Sequence, residues 1–501
     1  MALATPPQLD NLLVIKNPVN GALLAELPTH TADDLRAMVE RARQAQPAWQ
    51  ALGAKERAKR LRRWADLVWE RQADVMRVIR SETGKVDAGA LLEVIGVDIV
   101  ASYYMHRAPR WLKDQARLPL IPFVHRAKVT YKPHGLVGVI SPWNYPFILP
   151  FMDLLPALFA GNVVIVKPSE VTPLSVKIGV EFMHEAGIPA DVIQPLYGDG
   201  RIGAELVEHA DFIAFTGSTA TGRKIARRCG ERLVPCTMEL GGKDPSIVLN
   251  DAKLDMAAAG VVRGAFENAG QVCVSIERVY VEEAIYEPFV AKVLELMPQF
   301  KVGSGDGDSY HMGSITNLRE LERTEQHIAD AVSKGAKVVF GGKRRPDLGP
   351  LFFEPTVLVD VTHDMDIMRE ETFGPTLPIM RVKNAEEAVR LANDSEYGLS
   401  ASIFSTNYAR ARELAKRIDS GDVSINRTHI SVGTLDMPTG GQRNSGMGRR
   451  NGREGLLKYV TAQSILSDNM FAQKPDLRVG DPLSLLALRV MRVIRRYVPF
   501  V

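Results

Sequence analysis

Leu136-Val-Gly-Val-Ile140, Val163-Val-Ile-Val166, Val192-Ile-Gln-Pro-Leu196 and Phe212-Ile-Ala-Phe215 are short apolar runs in the stretch that follows Tyr131. Ser246-Ile-Val-Leu249 continues the series, and helical segments lie between most of these runs. Strand-like runs alternating with helices predict an α/β fold with a parallel sheet. A second alternating series runs from about Gly260 to Asn426, through Arg278–Val281, Val338–Phe340, Thr356–Leu358 and Val423–Asn426. Two successive α/β units are therefore expected, with a junction near Gly241-Gly242.

Upstream, the first 115 residues read mainly as helices. Thr31 before Asp33 and Asp34 is placed as an N-cap, with Leu35, Val39 and Ala42 following at helical spacing. Glu56 to Arg80 reads as one amphipathic helix, its basic residues forming a solvated face.

The chain has 501 residues, enough for two to four domains at roughly 100–200 residues each. Lys and Arg number 62 against 59 Asp and Glu, a net charge of +3 that gives no reason to expect a nucleic-acid partner. No uninterrupted apolar stretch reaches the roughly 18 residues of a membrane span, and Met1–Asp10 lacks the pattern of a signal peptide. No internal repeat is visible, which argues against solenoids and propellers. The three cysteines, Cys229, Cys236 and Cys273, show no Cys-x-x-Cys spacing. A disulfide framework and a thiolate metal cluster are thereby excluded, no metal is expected, and a reducing cytoplasmic setting fits.

Two loops compete for a phosphate. Gly198-Asp-Gly200-Arg-Ile-Gly203 follows a strand and has the form G-x-G-x-x-G. Thr216-Gly217-Ser218-Thr219-Ala220-Thr221-Gly222 follows Phe212–Phe215 and opens a helix at Arg223. Lys167 and Glu170, in Lys167-Pro-Ser-Glu170, lie just past another strand, where ligands of α/β sheets bind. An ammonium and a carboxylate there suit ribose hydroxyls, and Glu170 would repel a 2′-phosphate, favouring NAD over NADP. Cys273 sits in Gly270-Gln-Val-Cys273 as a candidate nucleophile. Glu239, in Met238-Glu-Leu-Gly-Gly-Lys243, is a carboxylate in apolar company, where burial would raise its pKa towards a general base. Asn144, in Pro142-Trp-Asn-Tyr-Pro146, offers an amide to an oxyanion. Thiol, base, oxyanion donor and dinucleotide site together point to covalent oxidation of a carbonyl compound.

These motifs resemble the NAD(P)-dependent aldehyde dehydrogenase superfamily, of the hydrolytic, acid-forming type, over about Thr31 to Ser467. Phe215-Thr-Gly-Ser-Thr219, Glu370-Glu371-Thr-Phe373-Gly-Pro375 and Gly440-Gly-Gln-Arg-Asn-Ser-Gly446-Met-Gly448-Arg449 complete the set in the family's order. The resemblance implies a Rossmann-type NAD-binding domain at 1–123 and 134–241, and a catalytic domain at 242–445. It also implies a β oligomerisation arm at 124–133 and 446–470, and a homodimer or homotetramer. Cys273 would attack the aldehyde, with Asn144 and the Cys273 N–H holding the oxyanion, and Glu239 would activate water against the thioester. Lys167 and Glu170 would bind the adenosine ribose, Gly217 and Ser218 the pyrophosphate, and Glu371 the nicotinamide ribose. Phe373, Trp143 and Leu240 complete the cofactor-binding set. NAD is the expected cofactor, with NADP as the alternative.

Thr439, in Met437-Pro-Thr-Gly-Gly441, replaces the family's usual aromatic residue, which would loosen a packing contact. Val272, Val274, Phe147, Leu149, Phe151 and Met152 are expected to line an apolar tunnel for an aliphatic or aromatic aldehyde. The alternative is a carboxylated semialdehyde, for which Arg427 and His429 are the available anchors. Rival functions are acylating chemistry with coenzyme A and a binding role on an inactive scaffold. The extension 471–501 carries Leu485, Leu486, Leu488, Val490, Met491, Val493 and Ile494 among Arg489, Arg492, Arg495 and Arg496. It is too short and charged to span a bilayer. Three roles are open to it: docking on this or a neighbouring subunit, peripheral membrane contact through 483–501, or covering the tunnel mouth.

Overall fold

The computed structural model describes residues 11–119, 125–305, 307, 309–429, 433–468 and 482–497. Met1–Asp10, Val124 at the start of the expected arm and all of 471–481 lie outside the described residues. A six-stranded sheet has the order Gly446–Met447, Cys236–Glu239, Phe212–Thr216, Leu136–Ile140, Val163–Lys167, Ile193–Pro195. Its pairs are parallel except where Gly446–Met447 runs antiparallel to Cys236–Glu239. A seven-stranded sheet has the order Lys337–Phe340, Thr356–Val359, Thr376–Val382, Ile276–Glu282, Asp244–Val248, Ser400–Phe404, Asp422–Ile425. The chain passes from one sheet to the other through Gly241-Gly242.

Leu136–Ile140, Val163–Lys167 and Phe212–Thr216 are buried on both faces, as parallel strands covered by helices must be. Two strands of the seven-stranded sheet escaped that reading. Ser400–Phe404 is wholly buried, but Ser400 and Ser402 break its apolar pattern. Their hydroxyls are satisfied internally, Ser400 Oγ donating to Asp244 at 2.6 Å and Ser402 Oγ to Ser246 at 2.9 Å. Thr376–Val382 is masked similarly by Pro378 and Arg381.

The N-terminal region is less purely helical than expected. A hairpin, Leu12–Lys16 with Leu23–Pro28, precedes the helices. Thr31 then caps Ala32–Ala51 in a reciprocal box with Asp34. The single helix expected over Glu56–Arg80 is two, Gly53–Glu70 and Gln72–Thr83, broken at Arg71. Its basic face is not wholly solvated either. Arg57 is buried and donates to the Phe159 carbonyl at 3.0 and 3.1 Å, closing the C-terminus of helix Ile148–Ala160. Asp87–Trp111 is long and apolar enough to cross a membrane by length and composition alone. Here it packs as a core helix, burying Val94, Val97, Val100 and Tyr104 in one cluster with the first sheet.

A three-stranded antiparallel sheet stands apart from these two, with Val460–Asp468 and Gln115–Arg117 flanking His125–Pro133. The expected arm segment 446–470 is described as far as 468, and its strands divide between two sheets. Gly446–Met447 completes the first sheet, and only Val460–Asp468 joins the separate one.

Candidate active site

Cys273 follows a tight turn, Glu267–Gly270, in which Asn268, Ala269 and Gly270 all have positive φ, at 51°, 57° and 72°. Gly270 is required there on two counts. Its φ is left-handed, and a Cβ would lie 2.0 Å from the Gly374 carbonyl. The turn delivers the thiol to a wall made by Val272, Val274 and Leu399, with Tyr145 beside it. Burial, aided by the charges of Asp244 and Glu239, pushes the Cys273 thiol up to about 12.

Asn144 is buried in the loop between strand Leu136–Ile140 and helix Ile148–Ala160. Its Nδ2 donates to the Gln271 carbonyl at 3.0 Å, which ties the amide to the nucleophile's own turn. Its carbonyl accepts from Lys85 Nζ at 2.9 Å and Asn268 Nδ2 at 3.1 Å. Lys85 is itself fully buried against Glu93, whose other oxygen accepts the Phe147 and Ile148 N–H groups at 2.9 and 3.0 Å. The middle and the C-terminal end of the loop are thus clamped by one buried ion pair. Breaking such a pair leaves an uncompensated buried charge. Glu93→Ala is expected to lower stability by about 3–5 kcal/mol, read as a fall in denaturation midpoint; an unchanged midpoint would contradict the clamp.

Glu239 ends strand Cys236–Glu239 and is buried, and its Oε1 has no hydrogen-bond partner. Burial raises its carboxyl to about 7, with Arg450 opposing the shift. The absence of a Cβ at Gly440 keeps that oxygen uncrowded, since one would sit 2.9 Å away.

One cleft of about 550 Å³ gathers Cys273, Asn144, Trp143, Lys167, Glu170, Gly217, Ser218, Leu240, Glu371 and Phe373. Glu239 is not in its lining but acts on Cys273 through its charge. Lys167 Nζ lies 3.4 Å from Glu170 Oε2, with the lysine buried and the carboxylate at the rim. Ser218 caps helix Thr219–Arg232, whose N-terminus faces the cleft. Glu371 accepts from the Gly242 N–H at 2.9 Å, and burial raises it to about 8. Trp143 and Phe373 meet edge to face at 5.5 Å. Gly200 and Gly203 also line this cleft, so both phosphate-loop candidates open on the same space. The donor set fits a dinucleotide: paired ammonium and carboxylate, a helix N-terminus, and two glycines that keep the floor low. A Cβ on Gly241 would lie 2.4 Å from Glu371, and one on Gly217 would lie 2.7 Å from the Phe215 ring.

Residues 6–465 match the family model described as the aldehyde dehydrogenase family. The chain belongs to that family. Among its relatives is a protein of Mycolicibacterium smegmatis named "Putative succinate-semialdehyde dehydrogenase" with NADP(+), 40% identical over 94% of this chain and 91% of its own length. Another, from Methylomonas sp, is named "4,4'-diapolycopene aldehyde oxidase", 40% identical over 88% of this chain and 83% of its own. Among solved structures, "Crystal structure of E. coli NADP dependent enzyme" superposes with a TM-score of 0.88 at 35% identity, covering 91% of this chain and 95% of that one.

Several site residues of this aldehyde dehydrogenase were missed in its sequence. Lys85, in Glu82-Thr-Gly-Lys85, and Glu93 sit on the N-terminal helical region, far in sequence from the loop they hold. Arg450 directly follows the Gly440–Arg449 motif; it is buried, pairs with Asp153 and bears on Glu239. The expected tunnel also changes. Phe147, Phe151 and Met152 are core residues, Phe151 stacking on Trp64 at 4.8 Å, and of that run only Leu149 reaches the cleft. Thr439 does not leave a loose loop. It is buried, and its N–H and carbonyl pair with Arg450 at 3.0 and 2.7 Å. His429 faces Glu267 Oε2 at 3.6 Å, and Glu267 accepts from Tyr145 Oη at 3.0 Å. Burial raises the Glu267 carboxyl, but its bonds to His429 and Tyr145 outweigh this and hold it below its ordinary value.

Proposed function

We propose that this chain oxidises an aldehyde to its carboxylic acid through a covalent adduct on Cys273, with NAD as its preferred cofactor. The observation that carries the reading is a half-buried thiol and a buried amide in one cleft with a dinucleotide donor set, under the charge of a carboxylate whose Oε1 has no partner. A thiol at about 12 is protonated at neutral pH, so its proton must leave as sulfur attacks the carbonyl carbon. We assign that proton to solvent in the cleft, and keep Glu239, poised at about 7, for the hydrolytic step. Asn144 carries two amide N–H groups; Gln271 takes one, and the other is assigned to the oxyanion together with the Cys273 N–H. Lys167, Glu170, Gly217, Ser218, Glu371 and Phe373 would hold the dinucleotide, with Trp143 and Leu240 beside them. When bound, NAD supplies an acceptor for the hydride whose loss turns the hemithioacetal into a thioester. Glu239 then removes a proton from water as it adds to the thioester carbon, and the departing sulfur is reprotonated. A coenzyme A acceptor would need no such base.

Glu170 supports NAD over NADP, because a carboxylate at the rim repels a 2′-phosphate. The cofactor named for the Mycolicibacterium relative stands on the other side. Glu170→Gln is expected to raise the NADP-to-NAD ratio of kcat/KM by about tenfold, the exposed rim limiting the effect. An unchanged ratio would remove Glu170 from the ribose site.

For the substrate we favour an apolar aldehyde, since Val272, Val274, Leu399 and Tyr145 surround the thiol. Glu267, anionic and close to Tyr145, adds a charge that opposes a carboxylated substrate. The semialdehyde reading keeps support from the relative's name and from Arg263, which lines a neighbouring cavity of about 620 Å³ with Tyr145 and Glu267. Measuring NADH and NADPH formation across short, long-chain, aromatic and carboxylated aldehydes decides between them. A kcat/KM highest for succinic semialdehyde would overturn the apolar reading; no turnover of any aldehyde would overturn the enzymatic one. We assign association of copies to the three-stranded sheet, on whose outer strand Leu466 is 63% exposed.

A further inference from the structure

One helix, Pro482–Tyr497, is not used by the chemistry above. At 1.5 Å per residue it is about 24 Å long, short of the roughly 30 Å hydrocarbon core of a bilayer. Leu486, Val490 and Val493 share one face and are 57%, 50% and 58% exposed. The body of the chain therefore does not cover that face. Arg489, Arg492 and Arg496 fall together about a quarter-turn away round the helix axis, and they too are exposed. The helix contains four arginines and no acidic residue.

Docking of this face on its own subunit is excluded by its exposure. Pairing with the same face of a second copy would set arginine beside arginine, with no carboxylate in either helix to neutralise them. An anionic lipid surface satisfies both halves of the helix at once. Acyl chains receive the Leu486, Val490 and Val493 side chains, and headgroup phosphates receive the guanidinium groups alongside. From this charge complementarity we propose that Pro482–Tyr497 lies in the interface of an anionic membrane and holds the enzyme there peripherally. The inference is independent of the reaction assigned to Cys273.

Co-sedimentation of the full-length protein with vesicles tests this. Vesicles of equal parts phosphatidylglycerol and phosphatidylcholine are compared with phosphatidylcholine alone, at about 50 and 500 mM salt. The intact chain is expected to bind the anionic vesicles at least tenfold more tightly and to be released by salt. Arg489→Glu with Arg492→Glu is expected to weaken binding by about 25-fold or more. Val490→Asp with Val493→Asp is expected to abolish it. Both variants should retain the wild-type rate on a water-soluble aldehyde, showing that they fold. Failure of the wild type to bind anionic vesicles would overturn the proposal, as would equal binding by the variants. A wild-type protein that stays in the supernatant as a larger assembly than the Val490/Val493 variant would overturn it in favour of contact between copies.

Discussion

Cys273→Ala is expected to lower NADH formation by at least about 10⁴-fold while leaving NAD binding within a few-fold of wild type. The size follows from what is removed. Without the sulfur no hemithioacetal forms, and the remaining groups can only polarise an aldehyde that water must then attack. The selectivity follows from the structure. The dinucleotide donor set, from Lys167 and Glu170 to Ser218 and Glu371, is built on other elements and does not lean on the thiol. Val272 and Val274 remain to shape the wall. Activity and cofactor affinity, measured on the same preparation, check both halves. Retention of a tenth or more of the activity would place the nucleophile elsewhere.

Glu239→Gln should separate the two halves of the reaction. The first turnover forms NADH as the thioester forms, and the thioester then persists because nothing removes the proton from its attacking water. A burst approaching one NADH per site, followed by a steady rate about 10²–10⁴-fold below wild type, is the expected rapid-mixing trace. The pH dependence carries the same information. Glu239 acts as a base only when ionised, and burial places that ionisation at about 7. Steady-state turnover in the wild type should therefore rise with pH through about 7 and level off above it, and the rise should vanish in the Gln variant. A variant with normal turnover and an unaltered pH profile would assign the base to another group.

The sequence displayed the sheet order's raw material, and much of the site, because both left local signatures. Val163–Lys167 and Phe212–Thr216 are buried on both faces and so read as continuous apolar runs. Cys273, Glu239 and Asn144 each sit in a short run whose glycines, prolines or apolar neighbours mark them out. Ser400–Phe404 was not legible, because its serines bond to Asp244 and Ser246 on a neighbouring strand more than 150 residues away. The helix break at Arg71 follows no glycine or proline and was missed for that reason. Charged residues misled most. Arg57 and Glu93 lie on helices, and Lys85 in the link between two, where a charge ordinarily means solvent, yet each is buried against a carbonyl, a backbone N–H or an opposite charge supplied by a distant segment. The run from Phe147 to Met152 misled in the other direction. Its apolarity follows from the packing of Phe151 against Trp64 and Phe147, not from a channel.

The covalent role of Cys273 can be seen directly. Glu239→Gln protein is mixed with NAD and an aldehyde that the wild type turns over, quenched in acid after the burst, digested and weighed. The peptide carrying Cys273 should gain the mass of the acyl group in near-stoichiometric yield, and the adduct should be absent when NAD is omitted. An unmodified Cys273 peptide in a sample that has released one equivalent of NADH would contradict the account.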